Sequence, residues 1–236
     1  MALVTGSSRG LGRAIALRLA EDPAVAGVAV HYRSERKAAL EVVHLIRSRG
    51  KRSTAIWADL YQEKHCLRML DTAGMRLGTV NILVNTFGPF LMKPWNETGS
   101  AEWQRIYRGN VLSALHCLRA ALPGMKAGRW GRVINFGYHR VEQWAAFPGI
   151  LPYAAAKAAL LLLTRTVAAA EAGSGVTVNM VSPGLIRGGR LPEGKKVRAG
   201  LVGEPSDVAE AAAYLVSDRA AGVTGANLIV AGAWKM

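Results

Sequence analysis

Two sets of residues in this chain have types and spacings suited to chemistry. Val4-Thr5-Gly6-Ser7-Ser8-Arg9-Gly10-Leu11-Gly12 follows a short apolar run and leads into a helix-like stretch. Glycines at 6, 10 and 12 permit a tight turn, close approach of the backbone to a ligand, and close helix packing. The helix start behind them offers free N–H groups and the positive end of its dipole, which suits a pyrophosphate. Far downstream, Tyr153-Ala154-Ala155-Ala156-Lys157 sets a phenol and an ammonium four residues apart, on one face of a helix. A phenol is a poor acid at its ordinary pKa of about 10. A neighbouring ammonium favours the phenolate and fits the pair for proton transfer. Dinucleotide binding and proton transfer together point to hydride chemistry at a carbonyl or an imine.

The elements that must position these groups alternate along the chain. Strand-like runs fall at residues 3–4, 28–32, 54–57, 82–84, 132–135, 176–179 and 228–230. Helix-like segments fall at 11–20, 35–49, 65–73, 103–125, 153–172 and 208–217. Such alternation predicts an α/β chain with a central parallel sheet of about seven strands and helices on both faces. With a glycine turn after the first strand, this is a doubly wound Rossmann fold, a single domain over residues 1–236. The least regular segment, residues 183–205, has the length of a loop that closes over a ligand.

Bulk properties narrow the alternatives. The chain has 236 residues, half of them hydrophobic, enough for one sizeable core. No uninterrupted apolar run is long enough to suggest a bilayer span, so no membrane partner is expected. Met1-Ala2-Leu3-Val4 is already strand-like, so no signal peptide is expected. Cys66 and Cys117 are the only cysteines, too few for a disulfide framework. Free thiols in a reducing compartment make the cytoplasm the expected location. No residue cluster has metal-ligand spacing, and no metal is expected. The basic residues behind the formal charge of +14 are scattered along the chain, with local groups at Arg33-Arg36-Lys37, Arg47-Arg49-Lys51-Arg52 and Lys195-Lys196-Arg198. Without a nucleic-acid motif, a phosphate-rich cofactor explains part of this charge better than a nucleic-acid partner.

Charge also bears on the choice of cofactor. A site for NAD usually places a carboxylate at the end of the second strand, bonded to ribose hydroxyls. Here that stretch is His31-Tyr32-Arg33-Ser34, without an acid. Arg33 and Ser34, with Tyr32 beside them and Arg9 in the glycine loop, suit a 2′-phosphate, so NADPH (NADP+) is the expected cofactor.

The Thr-Gly-x-x-x-Gly-x-Gly spacing and the Tyr-x-x-x-Lys pair together resemble the short-chain dehydrogenase/reductase family. The resemblance runs from Val4 to the Thr224-Gly225 turn and the final strand. It implies that Tyr153 is the general acid/base and that Lys157 binds the nicotinamide ribose and tunes the phenol. It implies that Asn110, within Asn-Val-x-Ser, bends its helix and holds a proton-relaying water. Asp59, in Ala58-Asp59-Leu60, takes the place of an aspartate that bonds adenine, with a helix cap as the alternative. Asn85-Thr86-Phe87-Gly88 takes the place of Asn-Asn-Ala-Gly, matching at Asn85 and Gly88. The implied cofactor site includes Gly6, Ser8, Arg9, Gly10, Leu11, Gly12, Leu60, Pro183, Gly184 and Ile186 as well.

One family position departs. A serine shortly after the fifth strand normally polarises the substrate carbonyl, but this chain has Asn135-Phe136-Gly137-Tyr138. Aligned by motif, Tyr138 replaces the serine; counted back from Tyr153, the position falls near Arg140, and His139 is a further candidate. The pteridine reductases also lack this serine, and His31-Tyr32-x-Ser and Phe90 echo that branch. The substrate expected first is a small-molecule or carrier-bound carbonyl, a 3-oxoacyl thioester. A flat pterin or dihydropterin is the alternative, and a silent NADPH-binding sensor is the rival outside enzymology. The basic Lys195-Lys196-Arg198 segment would suit an acidic carrier. The family also implies a homotetramer or homodimer formed through the long helices.

Overall fold

Short runs rich in valine, isoleucine and leucine become the buried central strands of a covered parallel sheet, whose two edge strands stay partly exposed. The computed structural model describes residues 1–189 and 202–232. Its strands are β1 (Ala2–Thr5), β2 (Gly27–Tyr32), β3 (Arg52–Trp57), β4 (Ile82–Asn85), β5 (Gly131–Phe136), β6 (Val176–Pro183) and β7 (Asn227–Val230). They form one parallel sheet in the order β3-β2-β1-β4-β5-β6-β7. The helices are α1 (Gly10–Leu19), α2 (Arg36–Ser48), α3 (Glu63–Leu77), α4 (Ser100–Tyr107), α5 (Ser113–Ala127), α6 (Leu151–Ala170) and α7 (Pro205–Val216).

Alternate strand residues feed two cores. Ala2 and Val4 of β1, with Val28 and Val30 of β2, meet the apolar stripes of α1, α2 and α7. Leu3 and Ala29 point the other way, into a core built with α3, α5 and the far end of α6. The expected doubly wound architecture is therefore present, and its strand order reverses between β1 and β4.

The single helix expected over 103–125 is instead α4 and α5, separated by a π-turn at Arg108–Leu112. Side chains loosen the ladder there. Asn110 Nδ2 donates to Ile106 O and to Pro89 O, each at 2.9 Å, and Ser113 Oγ donates to Gly109 O. A Cβ on Gly109 would lie 2.5 Å from Pro89 Cδ, so glycine lets the 89 segment close against the turn.

Helix α6 is long and apolar enough to cross a membrane by length and composition. It packs on the sheet instead, with Lys157 and Thr164 buried on its inner face. The basic group at 47–52 is structural. Arg47 donates to Ser53 O, Lys51 to Asp22 O, and Arg52 to Leu77 O, while Arg49 pairs with Glu21. These cations satisfy carbonyls where chain segments turn. Lys195-Lys196-Arg198 lies outside the described residues.

Polar groups inside the sheet set its register and anchor α6. Asn85 and Asn135 are paired across β4 and β5, and Asn85 Nδ2 donates to Asn135 Oδ1 at 2.9 Å. Asn135 Nδ2 donates to Thr164 Oγ1 at 2.9 Å, and that hydroxyl donates to Leu160 O. A second polar pin lies under the glycine loop. Gly6 N–H donates to His31 Nδ1 at 2.7 Å, and His31 Nε2 lies 3.1 Å from Ala58 O. These partners assign a neutral imidazole with its proton on Nε2. Burial holds the His31 pKa down to about 4, with the Arg33 charge acting in the same direction.

A pH dependence follows with a definite sign. Below about pH 6.5 the unfolded chain protonates this histidine while the folded chain resists until about pH 4. Stability is therefore lost as pH falls through that window. In urea melts at fixed protein concentration, wild type should lose about 3 kcal/mol more than His31→Asn between pH 7 and pH 4. Parallel losses in the two proteins would remove His31 as the cause.

Candidate functional site

The strand order reverses between β1 and β4, and a crevice opens there at the carboxyl ends of the strands. A cavity of about 240 Å³ fills it, lined by the glycine loop, the 31–35 segment and Thr86 to Gly88. Gly6 and Gly10 have φ of +62° and +55°, a region that favours glycine. A Cβ on Gly10 would meet nothing within 4 Å, whereas one on Gly12 would lie 2.5 Å from Gly6 O and 2.7 Å from Thr86 Oγ1. Gly12 thus closes the helix against the loop, and the open side at Gly10 leaves room for a ligand. Arg9 caps α1 by backbone alone, and no acid occupies the first turn. This uncapped helix start fits a pyrophosphate.

The adenosine end is built from β2, β3 and β4. Ser8 is buried in the loop and Leu11 half-buried, while Arg9, Arg33 and Ser34 face solvent around the cavity and Tyr32 is half-buried. The Arg33 guanidinium sits 5.5 Å over the Tyr61 ring, and Trp57 Nε1 donates to Arg33 O at 2.9 Å. Phe87 sets its ring edgewise to Tyr61 and to His31. Asp59 does not cap a helix: Gln62 is the N-cap of α3, and Asp59 Oδ1 accepts from Tyr61 N–H at 3.3 Å. The Leu60 side chain is buried in the core, so only its backbone is available to a ligand. Glu35 also lines the cavity, a carboxylate one residue beyond the His31–Ser34 stretch at the end of β2.

The reacting end centres on α6. Pro152 begins the helix with a φ already suited to it. Lys157 is 4% exposed, and its Nζ donates to Phe136 O at 2.5 Å. That Nζ lies 5.6 Å from the centre of the Tyr153 ring. Burial lowers the Lys157 pKa to about 7. Burial, with Tyr138 adding to it, raises the Tyr153 phenol well above its ordinary value. The direction is opposite to the lowering expected from a neighbouring ammonium, because the phenol has lost its solvent. Asn110 belongs to the π-turn, and its Oδ1 is buried without a hydrogen-bond partner among the described residues. A Cβ on Gly88 would collide with Asn110 Oδ1 and lie 3.2 Å from Lys157 Nζ, so both polar atoms converge at this glycine.

Aromatic rings surround Tyr153. Phe90 is edgewise at 4.9 Å, and Tyr138 is tilted at 5.7 Å. Tyr138 contacts Phe147 at 5.9 Å, and the Arg140 guanidinium covers that ring at 4.8 Å. Burial raises the Tyr138 pKa to about 12, keeping its phenol protonated. Gly137 leaves no room for a side chain because a Cβ would collide with Ser182 Oγ, which donates to Asn227 Oδ1. His139 N–H donates to Pro183 O, tying the segment after β5 to the end of β6. Gly184 packs against Ala231, and Ile186 bridges to Gly203. Across the mouth, Lys93 N–H donates to Gly149 O at 2.8 Å and Trp95 N–H to Pro148 O at 3.1 Å.

Known proteins are similar to this chain over nearly its whole length. The family model described as enoyl-(acyl carrier protein) reductase matches residues 6–234. Glucose 1-dehydrogenase 2 of Bacillus subtilis is 34% identical, over 98% of this chain and 93% of its own. A 3-oxoacyl-(acyl-carrier-protein) reductase of Staphylococcus aureus is 33% identical, over 100% of this chain and 98% of its own. The crystal structure of a blue fluorescent protein from a metagenomic library, in complex with NADPH, superposes with a TM-score of 0.89. It is 36% identical and covers 98% of this chain and 96% of its own. The family model and these relatives match nearly the whole chain, and the chain is a member of the short-chain dehydrogenase/reductase family of oxidoreductase enzymes.

Proposed function

We propose that this enzyme reduces a substrate carbonyl with NADPH, Tyr153 delivering the proton. The observation that carries this reading is the Tyr153–Lys157 pair, with the phenol held protonated and the ammonium buried beside it. NADPH when bound supplies the hydride. The loop at Gly6 and Gly10, with Gly12 closing α1 against it, would hold its pyrophosphate, while Arg9, Arg33 and Ser34 would receive the 2′-phosphate with Tyr32 beside them. Asp59, Leu60, Asn85 and Gly88 border the adenosine and ribose, and Pro183, Gly184 and Ile186 border the nicotinamide end. Lys157 holds the ribose and returns a proton toward Tyr153. Asn110 positions a relaying water with the unpartnered oxygen at its turn. Tyr138 donates a hydrogen bond to the substrate where relatives use serine.

The first substrate class is a 3-oxoacyl thioester, supported by the Staphylococcus aureus relative named for that reaction. The rings of Phe90, Tyr138 and Phe147 around Tyr153 favour a second reading, a flat dihydropterin. Exposed Tyr107 on α4 and Leu162 on α6 support assembly of copies through these helices.

Following NADPH oxidation with acetoacetyl-CoA, a quinonoid dihydropterin and a panel of small carbonyls tests both readings. Turnover on the thioester upholds the first, turnover on the pterin alone upholds the second, and turnover on neither overturns both. Tyr153→Phe should lower kcat by about 10²–10⁴-fold while NADPH Kd stays within about twofold. Unchanged kcat would reject Tyr153 as the donor. Arg33→Asp should shift the ratio of NADPH to NADH affinity by about tenfold toward NADH. For wild type, kcat/KM should be level below about pH 7 and decline above it as Lys157 loses its proton. A profile level to pH 9 would dissociate Lys157 from the proton path.

A further inference from the structure

The mouth of the cofactor cavity holds an ion pair that the glycine motif does not require. Arg9 Nη1 lies 3.8 Å from Glu35 Oε1, and both residues line the cavity. Glu35 stands at the start of α2, where a carboxylate commonly caps free N–H groups. Its side chain makes no such bond, and the first turn of α2 contains no other acid. The carboxylate reaches across to the glycine loop instead. The side chains of Arg9 and Glu35 are 78% and 49% exposed, so water and salt weaken their attraction and a bound anion can exchange one partner for another.

Arg33 has its guanidinium over Tyr61, so its position is set by an aromatic ring. Arg9 is therefore the cation of this pocket whose carboxylate partner also lines the cavity. A 2′-phosphate entering beside Arg33 and Ser34 brings about two negative charges at neutral pH. To engage Arg9 it must draw that guanidinium away from Glu35. A ribose 2′-hydroxyl brings no charge and leaves the pair intact.

Resting on the NADPH reading, we infer that Glu35 is a positioning residue for cofactor choice: by holding Arg9 it lowers the affinity for 2′-phosphorylated cofactors and narrows the margin between NADPH and NADH. The pocket is then tuned between the two cofactors by a competition for one guanidinium. Glu35→Gln keeps the shape of the side chain and removes the competing charge.

Equilibrium binding of NADP+ and NAD+ to the apo protein, followed by calorimetry, separates this inference from the reading beneath it. Wild type, Glu35→Gln, Arg9→Ala and the double variant are compared, with thermal melts to confirm folding. Tighter binding of NADP+ than of NAD+ by wild type upholds the NADPH reading, and the reverse overturns it. Glu35→Gln should tighten NADP+ about 5–10-fold and change NAD+ by less than about twofold. In the Arg9→Ala background the same substitution should change NADP+ by no more than about twofold. An unchanged ratio of NADP+ to NAD+ affinity in Glu35→Gln overturns the inference with the NADPH reading intact. A full effect in the absence of Arg9 also overturns it, since Glu35 would then act by direct repulsion.

Discussion

Burial of the Lys157 ammonium against β5 is the constraint around which the rest is arranged. A charge removed from water is costly unless it is bonded, and Phe136 O supplies the bond. The end of β5 and the first turns of α6 must therefore keep a fixed separation. The Asn85–Asn135–Thr164 chain holds that separation one helical stretch further along. Both pins fall on one face of α6, so the helix cannot rotate without stranding several buried polar groups. Tyr153 sits on that helix and inherits the precision. The cost of burial shows in the Lys157 pKa, held near neutrality where a small change in surroundings changes its charge.

The glycine loop is rigid for a similar reason. Gly12 is pressed against Gly6 O and Thr86 Oγ1, and Thr86 Oγ1 bonds back to Thr5 O. His31 joins the loop to the end of β3 from below. The floor of the cofactor crevice is thus bonded to three neighbouring strands, while its rim is a set of exposed charges. The crevice is thus divided between a floor of bonded backbone and a rim of exposed side-chain charge.

Much of this was legible in the sequence because its signals are local. Strand runs, the glycine spacing and the Tyr153–Lys157 interval depend on nearby residues, and each sits where the pattern places it. What escaped reading depends on contacts between distant segments. The resemblance implies a bend at Asn110, but the bond from Asn110 to Pro89 O, 21 residues away in the chain, is visible only in the fold. Arg52 reads as surface charge until Leu77 O is beside it. Asp59 reads as a cap until the true start of α3 is known. Glu35 lies one residue past the segment read for acids, and only the fold turns its carboxylate toward Arg9. Tyr138 in place of serine was visible as a departure, but the ring cluster that explains its burial was not.

The two backbone bonds joining Lys93 to Gly149 and Trp95 to Pro148 carry a consequence for traffic through the mouth. They lace the segment bearing Phe90 to the segment bearing Phe147, so the walls on either side of Tyr153 are mechanically one piece. Two bonds two residues apart fix both the spacing and the register of these walls, so the width of the opening beside the phenol is set by backbone pairing and not by side-chain packing alone.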